Sequence, residues 1–399
     1  MKYTVLLCLS LALVLFSCEK EDFTGKRSSE ELSGSIDGAF SGAIGSSTGN
    51  SGQAGDTTIQ AGQLTAGEWN DLENWDFWTE LIAKDTLSEY PGFWRFNRLD
   101  RVSLKVSQQN GNPLANAEAL LLGPNEEVLW RTRTDNAGRA EFFPNLMEAG
   151  TSQPARIKVS HLGQSYFLNN VQFYEAGVNE LTIPVSGANS QNADVFFVFD
   201  ATGSMSDELE YIKVEINDII SRIQNSNNNI NFRLGSVFYR DEGDEYITRT
   251  SNLNSNFAQV VDFINSQRAD GGGDYPEALH SALQKAIEEQ DWQGQARARL
   301  LFLILDAPPH HEDEVIDAVK EQLHLAAEKG IRIIPVSASG IDRETEFLMR
   351  ILAIASNGTY TFITDHSGIG NEHLEPTVGE YEVEFLNDLI VRLVNEYVE

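Results

Sequence analysis

Three short segments of the chain carry oxygen ligands at spacings that could do chemistry. Asp200-Ala201-Thr202-Gly203-Ser204 sets one carboxylate and two hydroxyls at alternate positions of a tight loop. Gly271-Gly272-Gly273-Asp274-Tyr275-Pro276-Glu277 delivers two acids from a flexible stretch, with Pro276 suited to the first turn of a helix. Asp306-Ala307-Pro308-Pro309-His310 adds a further carboxylate directly after an apolar run. Such hard oxygens suit Mg²⁺, Mn²⁺ or Ca²⁺ better than thiophilic ions, and two neutral hydroxyls leave a dication able to attract an external carboxylate. Taken alone, the first segment reads equally as a strand-to-helix turn capped by Asp and Ser.

The flanking elements decide whether these segments can meet. From Asn192 onward, apolar runs alternate with amphipathic helical patterns. The runs predict strands over Val195 to Phe199, Phe232 to Tyr239, Leu300 to Leu305, Ile331 to Val336 and Thr359 to Ile363. Helices are predicted over Asp207 to Ile223, Phe257 to Ser266, Pro276 to Glu289, Glu314 to Lys329, Glu344 to Ala355 and Tyr381 to Tyr397. Continuous apolar strands joined by helical crossovers imply a doubly wound α/β fold with a mainly parallel sheet covered on both faces. Ligands of such sheets bind at the carboxyl ends of the strands, where Asp200 and Asp306 both emerge.

Together the three segments resemble the metal ion-dependent adhesion site of von Willebrand factor type A domains: Asp-x-Ser-x-Ser, then a Thr, then an Asp. Asp200, Thr202 and Ser204 match the first element, with Thr202 keeping the hydroxyl of the first Ser, and Asp306 matches the last. In the middle, Gly273 stands where that family has its Thr and offers no side-chain oxygen, so the resemblance leaves Asp274 or Glu277 to supply it. The loop is also similar to one in integrin β subunits, where the Glu joins the adhesion site and the Asp an adjacent cation site. The resemblance spans Asn192 to Glu399 and implies a Rossmann-like fold. It further implies binding of Mg²⁺, Mn²⁺ or Ca²⁺, and a protein ligand whose acidic residue completes the metal's shell without catalysis.

A different resemblance makes the rival. Phe199 to Ser204 is similar to the strand-end nucleophile loop of haloacid dehalogenase-type phosphohydrolases, in which Asp200 would attack phosphorus. Those enzymes also need a lysine and a later acidic pair, and Asp306-Ala307-Pro308-Pro309 offers one acid with no lysine nearby. A third reading keeps the fold as a structural scaffold with an inactive site.

Neighbouring polar residues invite weaker readings. His310, His311 and Glu312 suggest a transition metal, but beside hard oxygens they read better as a solvated lip. Arg240 to Glu245 could border the cation site, yet reads first as a solvated charge run. His280 and His324 fall on helices as surface or interface residues.

Upstream, residues 95 to 187 hold short alternating runs separated by turns such as Asn110-Gly111-Asn112-Pro113 and Asp135-Asn136-Ala137-Gly138, which predicts an antiparallel β-sandwich. Gly111 to Ala117 and Thr134 to Phe142 resemble the transthyretin-like modules that accompany carboxypeptidases, implying a spacer or binding module. Residues 63 to 94 concentrate four of the six tryptophans. Leu72, Trp75 and Trp78 share a helical face, so this stretch reads as a helical connector docking aromatics on its neighbour, with a sugar platform as the alternative. Residues 18 to 62, rich in Gly, Ser and Thr, read as a flexible tether.

Residues 1 to 17 fit a signal peptide: Lys2 precedes an apolar run too short to span a membrane. Leu15-Phe16-Ser17-Cys18 resembles a bacterial lipobox, implying cleavage before Cys18 and its lipidation, and loss of Cys8 with the signal. The acidic Glu19 to Asp22 resembles the surface-export signal of Bacteroidetes-type lipoproteins, implying an outer-membrane, cell-surface location. Among the 399 residues, 60 acidic against 29 basic side chains give a net charge of -31, which disfavours nucleic acid and anionic lipid headgroups as partners. Membrane contact would then be through the anchor alone. With 41% hydrophobic residues the chain can still bury a sizeable core.

Overall fold

The structure is a computed structural model in which residues 59–399, apart from 85, 227 and 228, are described. The expected signal peptide, both cysteines and nearly all of the tether lie outside the described residues. Among the described residues no helix is long and apolar enough to cross a membrane.

An eight-stranded sheet dominates the second half. Its strands are β9 (Asn192–Asp200), β10 (Asn231–Tyr239), β11 (Thr248–Asn254), β12 (Ala298–Leu305), β13 (Arg332–Ser337), β14 (Tyr360–Thr364) and β15 (Val383–Phe385), together with β1 (Thr65–Trp69) from far upstream. The order is β11-β10-β9-β12-β13-β14-β1-β15. The five strands from β10 to β14 in that order are parallel, while β11, β1 and β15 pair antiparallel with their neighbours. The five predicted strands are thus the parallel centre. β11 escapes an apolar reading because its sequence TRTSNLN buries only Ser251 and Leu253.

Alternation along β9 shows why the sheet is covered twice. Val195, Phe197 and Phe199 face a core shared with α3 (Leu209–Ser226), α4 (Phe257–Ser266) and α8 (Leu386–Val398). Phe196 and Val198 face the opposite core with α5 (Leu279–Leu283), α6 (Asp313–Lys329) and α7 (Arg343–Ala355). With both faces dry, every residue from Ala193 to Asp200 can be buried, which is what a continuous apolar run requires.

Two expected helices start late, for local reasons. The Pro276 helix begins only at Leu279, because the Glu277 amide donates to the Pro308 carbonyl at 2.9 Å and Glu277 so belongs to an isolated parallel bridge with Pro309 in the loop after β12. Its second half, Gln284–Glu288, is a π-helical turn. The last helix begins at Leu386 because Val383–Phe385 is taken up as β15.

The upstream residues form a wholly antiparallel sheet of β3 (Glu118–Leu122), β4 (Val128–Arg133), β6 (Arg156–His161) and β7 (Gln164–Asn169) in the order β4-β3-β6-β7, and a second sheet in which β5 (Arg139–Phe142) is followed by the two strands below in the order β5-β2-β8. One pairing departs from the antiparallel pattern: β2 (Val102–Gln108) runs parallel to β8 (Asn179–Ile183). The Trp-rich stretch departs more. Expected as a helical connector, it opens with β1, an inner strand of the large sheet, before α1 (Trp75–Lys84) and α2 (Tyr90–Phe93). Trp75, Trp78 and Trp94 are buried, so their rings belong to the core and offer no sugar platform. Trp78 stacks on Phe347 of α7 at 5.8 Å, and Trp130 of the sandwich meets His324 of α6 edge-on at 5.3 Å.

Candidate functional site

Parallel strand order fixes where a site can form. β9 leads by α3 to β10 on one side, and β12 lies on the other, so the carboxyl ends of β9 and β12 flank the point where the winding reverses. Connections diverge there and leave a crevice above the sheet. Asp200 is the last residue of β9, and Asp306 follows the last residue of β12.

Within the crevice, the Asp200 carboxylate is fully buried and held from two sides. Its Oδ1 accepts the Thr202 amide at 2.9 Å and the Thr202 hydroxyl at 2.7 Å, while its Oδ2 accepts the Tyr239 hydroxyl at 3.1 Å. Thr202 Oγ1 lies 3.1 Å from Ser204 Oγ, and Ser204 is exposed at the mouth. Gly203 sits under the glycine loop, its amide donating to the Gly271 carbonyl at 3.0 Å. Asp306 and Glu277 are 4% and 2% exposed, and Asp306 Oδ1 and Glu277 Oε2 are buried without a hydrogen-bond partner. Such oxygens cost free energy unless something positive or proton-bearing meets them.

Crowding of these carboxyls shows in their proton affinities. Burial, reinforced by the charges of Asp200, Asp241 and Asp306, pushes Glu277 up to about 9. Burial and the neighbouring Asp200 push Asp306 up to about 8, with the Ser204 hydroxyl opposing. Burial raises Asp200 to about 6 against the hydrogen bonds from Thr202 and Tyr239.

The middle segment resolves differently from the simplest reading of its glycines. A Cβ on Gly273 would meet nothing, so that residue faces open space. Gly272 is the glycine that looks into the cluster: with φ of +72°, a Cβ there would lie 2.8 Å from Glu277 Oε1 and 3.1 Å from Thr202 Cβ. Glu277 therefore fills the space beneath the loop and stands with Asp200, Thr202 and Asp306, while Asp274 stays exposed on the rim.

The charge run at Arg240 to Glu245 is corrected by its contacts, since its inner residues are not solvated. Arg240 and Asp241 are buried, and Arg240 donates to the carbonyls of Ala201 and Arg268. Asp244 Oδ2 accepts the Gly272 amide at 2.9 Å and so pins the glycine loop. His310 is likewise no free lip: its Nε2 lies 2.7 Å from Asp241 Oδ1. His311 stacks on Phe93 at 3.7 Å. These roles have no sequence signal, because they depend on loops brought together from three strands. Glu208 was not anticipated either; it is buried beside the site, binds His373 at 2.7 Å and adds to the repulsion on Asp306.

Among the described residues no group of three or more His, Cys, Asp or Glu side chains is placed to hold a metal ion by itself. The donor set at this edge is mixed, with Asp200, Asp306 and Glu277 supplying carboxylate oxygens and Thr202 and Ser204 hydroxyls. Residues of these types fit a hard dication that keeps water or an external ligand in part of its shell.

A doubly wound sheet with carboxyl and hydroxyl side chains gathered at its switch point defines the class. Residues 194–370 match the family model of the von Willebrand factor A domain, and this half of the chain has that fold. An ariadne-like RING finger protein of Acanthamoeba polyphaga mimivirus is 31% identical over 138 residues, which is 34% of this chain and 13% of that protein. The alpha-protein kinase vwkA of Dictyostelium discoideum is 27% identical over 122 residues, 30% of this chain and 19% of the kinase. The chain thus spans less than a fifth of each of these curated relatives. Among solved structures, the conserved hypothetical protein BatB of Bacteroides thetaiotaomicron aligns with a TM-score of 0.36 at 16% identity, over 51% of this chain and 98% of that one. An aerotolerance-related membrane protein of Bacteroides fragilis aligns with a TM-score of 0.34 at 16% identity, over 52% and 98%.

Proposed function

We propose that the chain is a lipid-anchored surface protein that uses a divalent cation, Mg²⁺ or alternatively Mn²⁺ or Ca²⁺, to bind an acidic residue of a protein ligand. Asp200, Thr202, Ser204, Glu277 and Asp306 would hold the ion directly or through water, and Asp274 would stay at the rim. The observation that carries this reading is the pair of buried carboxylate oxygens without partners, Glu277 Oε2 and Asp306 Oδ1, beside a third buried carboxylate. A dication would relieve that crowding, whereas the guanidinium of Arg240 is turned onto the carbonyls of Ala201 and Arg268. Lipidation at Cys18 after removal of residues 1 to 17 would supply the anchor, with the outer membrane as its site.

Attack by Asp200 on a phosphoester fits less well. Three of the roughly four lone-pair sites of its carboxylate are taken by Thr202 and Tyr239, and the loops around it carry no lysine. Thermal unfolding under Mg²⁺, Mn²⁺ and Ca²⁺ tests the cation reading. A specific site filled at a hundredfold excess over Kd adds about 2.7 kcal/mol, a rise of several degrees in Tm. The rise is expected for the wild type and absent from Asp200→Ala; equal behaviour of the two proteins would leave only a scaffold with an inactive site.

A further inference from the structure

At the amino ends of the central strands, the pole opposite the crevice, three arginines meet without a counter-charge. Arg297 precedes β12, Arg299 lies on it, and Arg332 opens β13. Arg299 and Arg332 are each 3% exposed, and Arg297 is half-buried. Among the described residues, every hydrogen bond of the three guanidinium groups goes to a backbone carbonyl or to the side-chain oxygen of Asn116, and none to a carboxylate. Arg332 is held by the carbonyls of Ser356 and Arg133 alone. In a chain with 60 acidic side chains against 29 basic ones, such a gathering runs against the composition.

The acids in the neighbourhood have other partners. Asp135, in the turn between β4 and β5, accepts the Arg139 amide at 2.8 Å and the Asn357 side-chain amide at 3.2 Å. Glu141 is paired with Arg101, and Asp194 with Arg233. These carboxylates act on Arg332 and Arg299 only from beyond hydrogen-bond range. Burial lowers the proton affinity of all three guanidinium groups, and pushes Arg299 down to about 10 with the charges of Arg133 and Arg332 adding to the effect. A guanidinium taken out of water without an opposite charge costs free energy that carbonyl dipoles return only in part.

The three arginines line one small cavity, together with Asp135, Asn136 and Tyr397 of α8. About 10 Å³ is open there to the centre of a water-sized sphere, which is room for a single small occupant. The cavity lies at a seam, because Asn136 donates its side-chain amide to the Glu396 carbonyl of α8 at 2.6 Å. Phosphate, sulfate or a carboxylate needs more space than this. Water would fit but would bring no charge.

We infer that one chloride ion sits between Arg297, Arg299 and Arg332 and joins the β4–β5 turn and α8 to the amino ends of β12 and β13. A halide accepts N–H donors from several directions at once and supplies the negative charge that the side chains here do not. Tyr397, whose hydroxyl burial keeps protonated, can add a neutral donor. Nothing in this site depends on the cation reading of the crevice.

Thermal unfolding of the full chain in EDTA, with chloride replacing gluconate at constant sodium concentration, tests the inference. Chloride should raise Tm along a saturating curve, and bromide should do the same. Arg297→Gln should need about tenfold more chloride for half of that rise. Arg98→Gln, which removes one positive charge outside the cavity, should leave the curve where it was. Crystals of the full chain grown in bromide should show an anomalous peak between the three guanidinium groups. Wild-type Tm values equal in chloride and gluconate, an equal shift of the curve in the two variants, or bromide absent from the cavity would each overturn the chloride site. If Arg297→Gln does not fold, the wild-type halide response and the bromide peak still decide the matter.

Discussion

At the scale of single residues, the site is governed by carboxyl groups that cannot all ionise together. Glu277, Asp306 and Asp200 are raised to about 9, 8 and 6 from ordinary values of 4.5, 3.8 and 3.8, chiefly by burial. A group whose folded pKa lies above its unfolded one contributes stability at low pH that is lost as the pH climbs through the folded value. Without a cation, the protein should therefore lose stability from about pH 4 to about pH 9. A metal that needs these groups deprotonated must displace their protons, so its affinity should rise over the same window, by about tenfold per pH unit for each proton displaced. Calorimetric titration of Mg²⁺ in buffers of different ionisation enthalpy measures that release directly. A titration showing no proton release at neutral pH would mean that the ion binds elsewhere. Much of this cluster was legible in advance, since Asp200, Thr202, Ser204 and Asp306 lie on continuous segments that end strands. That Glu277 is buried beside them while Asp274 is exposed was not, because it turns on φ at Gly272 and on the hydrogen bond from Glu277 to Pro308. Those are loop conformations without periodicity to announce them.

At the scale of elements, the Trp-rich segment is bolted down by charge as well as by aromatic rings. Arg350 of α7 donates to both oxygens of Asp71 at 2.9 and 2.6 Å, and its guanidinium lies over the Trp78 ring at 4.7 Å. Glu346 and Thr377 complete the surroundings of that guanidinium. Removing one partner of such a pair strands the other charge in the interior, so Asp71→Ala should cost about 3–5 kcal/mol in chemical denaturation. A loss below about 1 kcal/mol would show that the segment is not docked on α7 in solution. The helical face of Leu72, Trp75 and Trp78 was visible in the sequence, as were the five parallel strands, because apolar periodicity survives without tertiary context. β1 and β15 were not visible. They are short, Thr65–Trp69 mixes polar and apolar residues, and its partners Tyr360–Thr364 and Val383–Phe385 lie almost three hundred residues or more away.

At the scale of the whole molecule, the von Willebrand factor A fold does not close on its own residues. β1 inserts between β14 and β15, so without it β14 keeps only its pairing with β13, through Val336 and Ser337. Leu64 and Ala66 belong to the core under α3 and α8, and Glu215 of α3 accepts the amides of Gly62, Gln63 and Leu64. On the other face, Trp78 and Trp94 cover α7, and Trp130 packs against His324 of α6. Each such indole buries about 150–250 Å². Stripping the upstream residues would thus expose an apolar patch beyond the few hundred Å² that soluble monomers usually tolerate. Residues 192–399 expressed alone should therefore aggregate or unfold without a cooperative transition, whereas the full chain should melt its sandwich and sheet together in one calorimetric peak. If the fragment instead melts cooperatively at the Tm of the full chain, the upstream half is an appendage and the shared core carries no stability. The positions of Asp200 and Asp306 depend on which holds, because both sit at the ends of strands whose far face is sealed by that core.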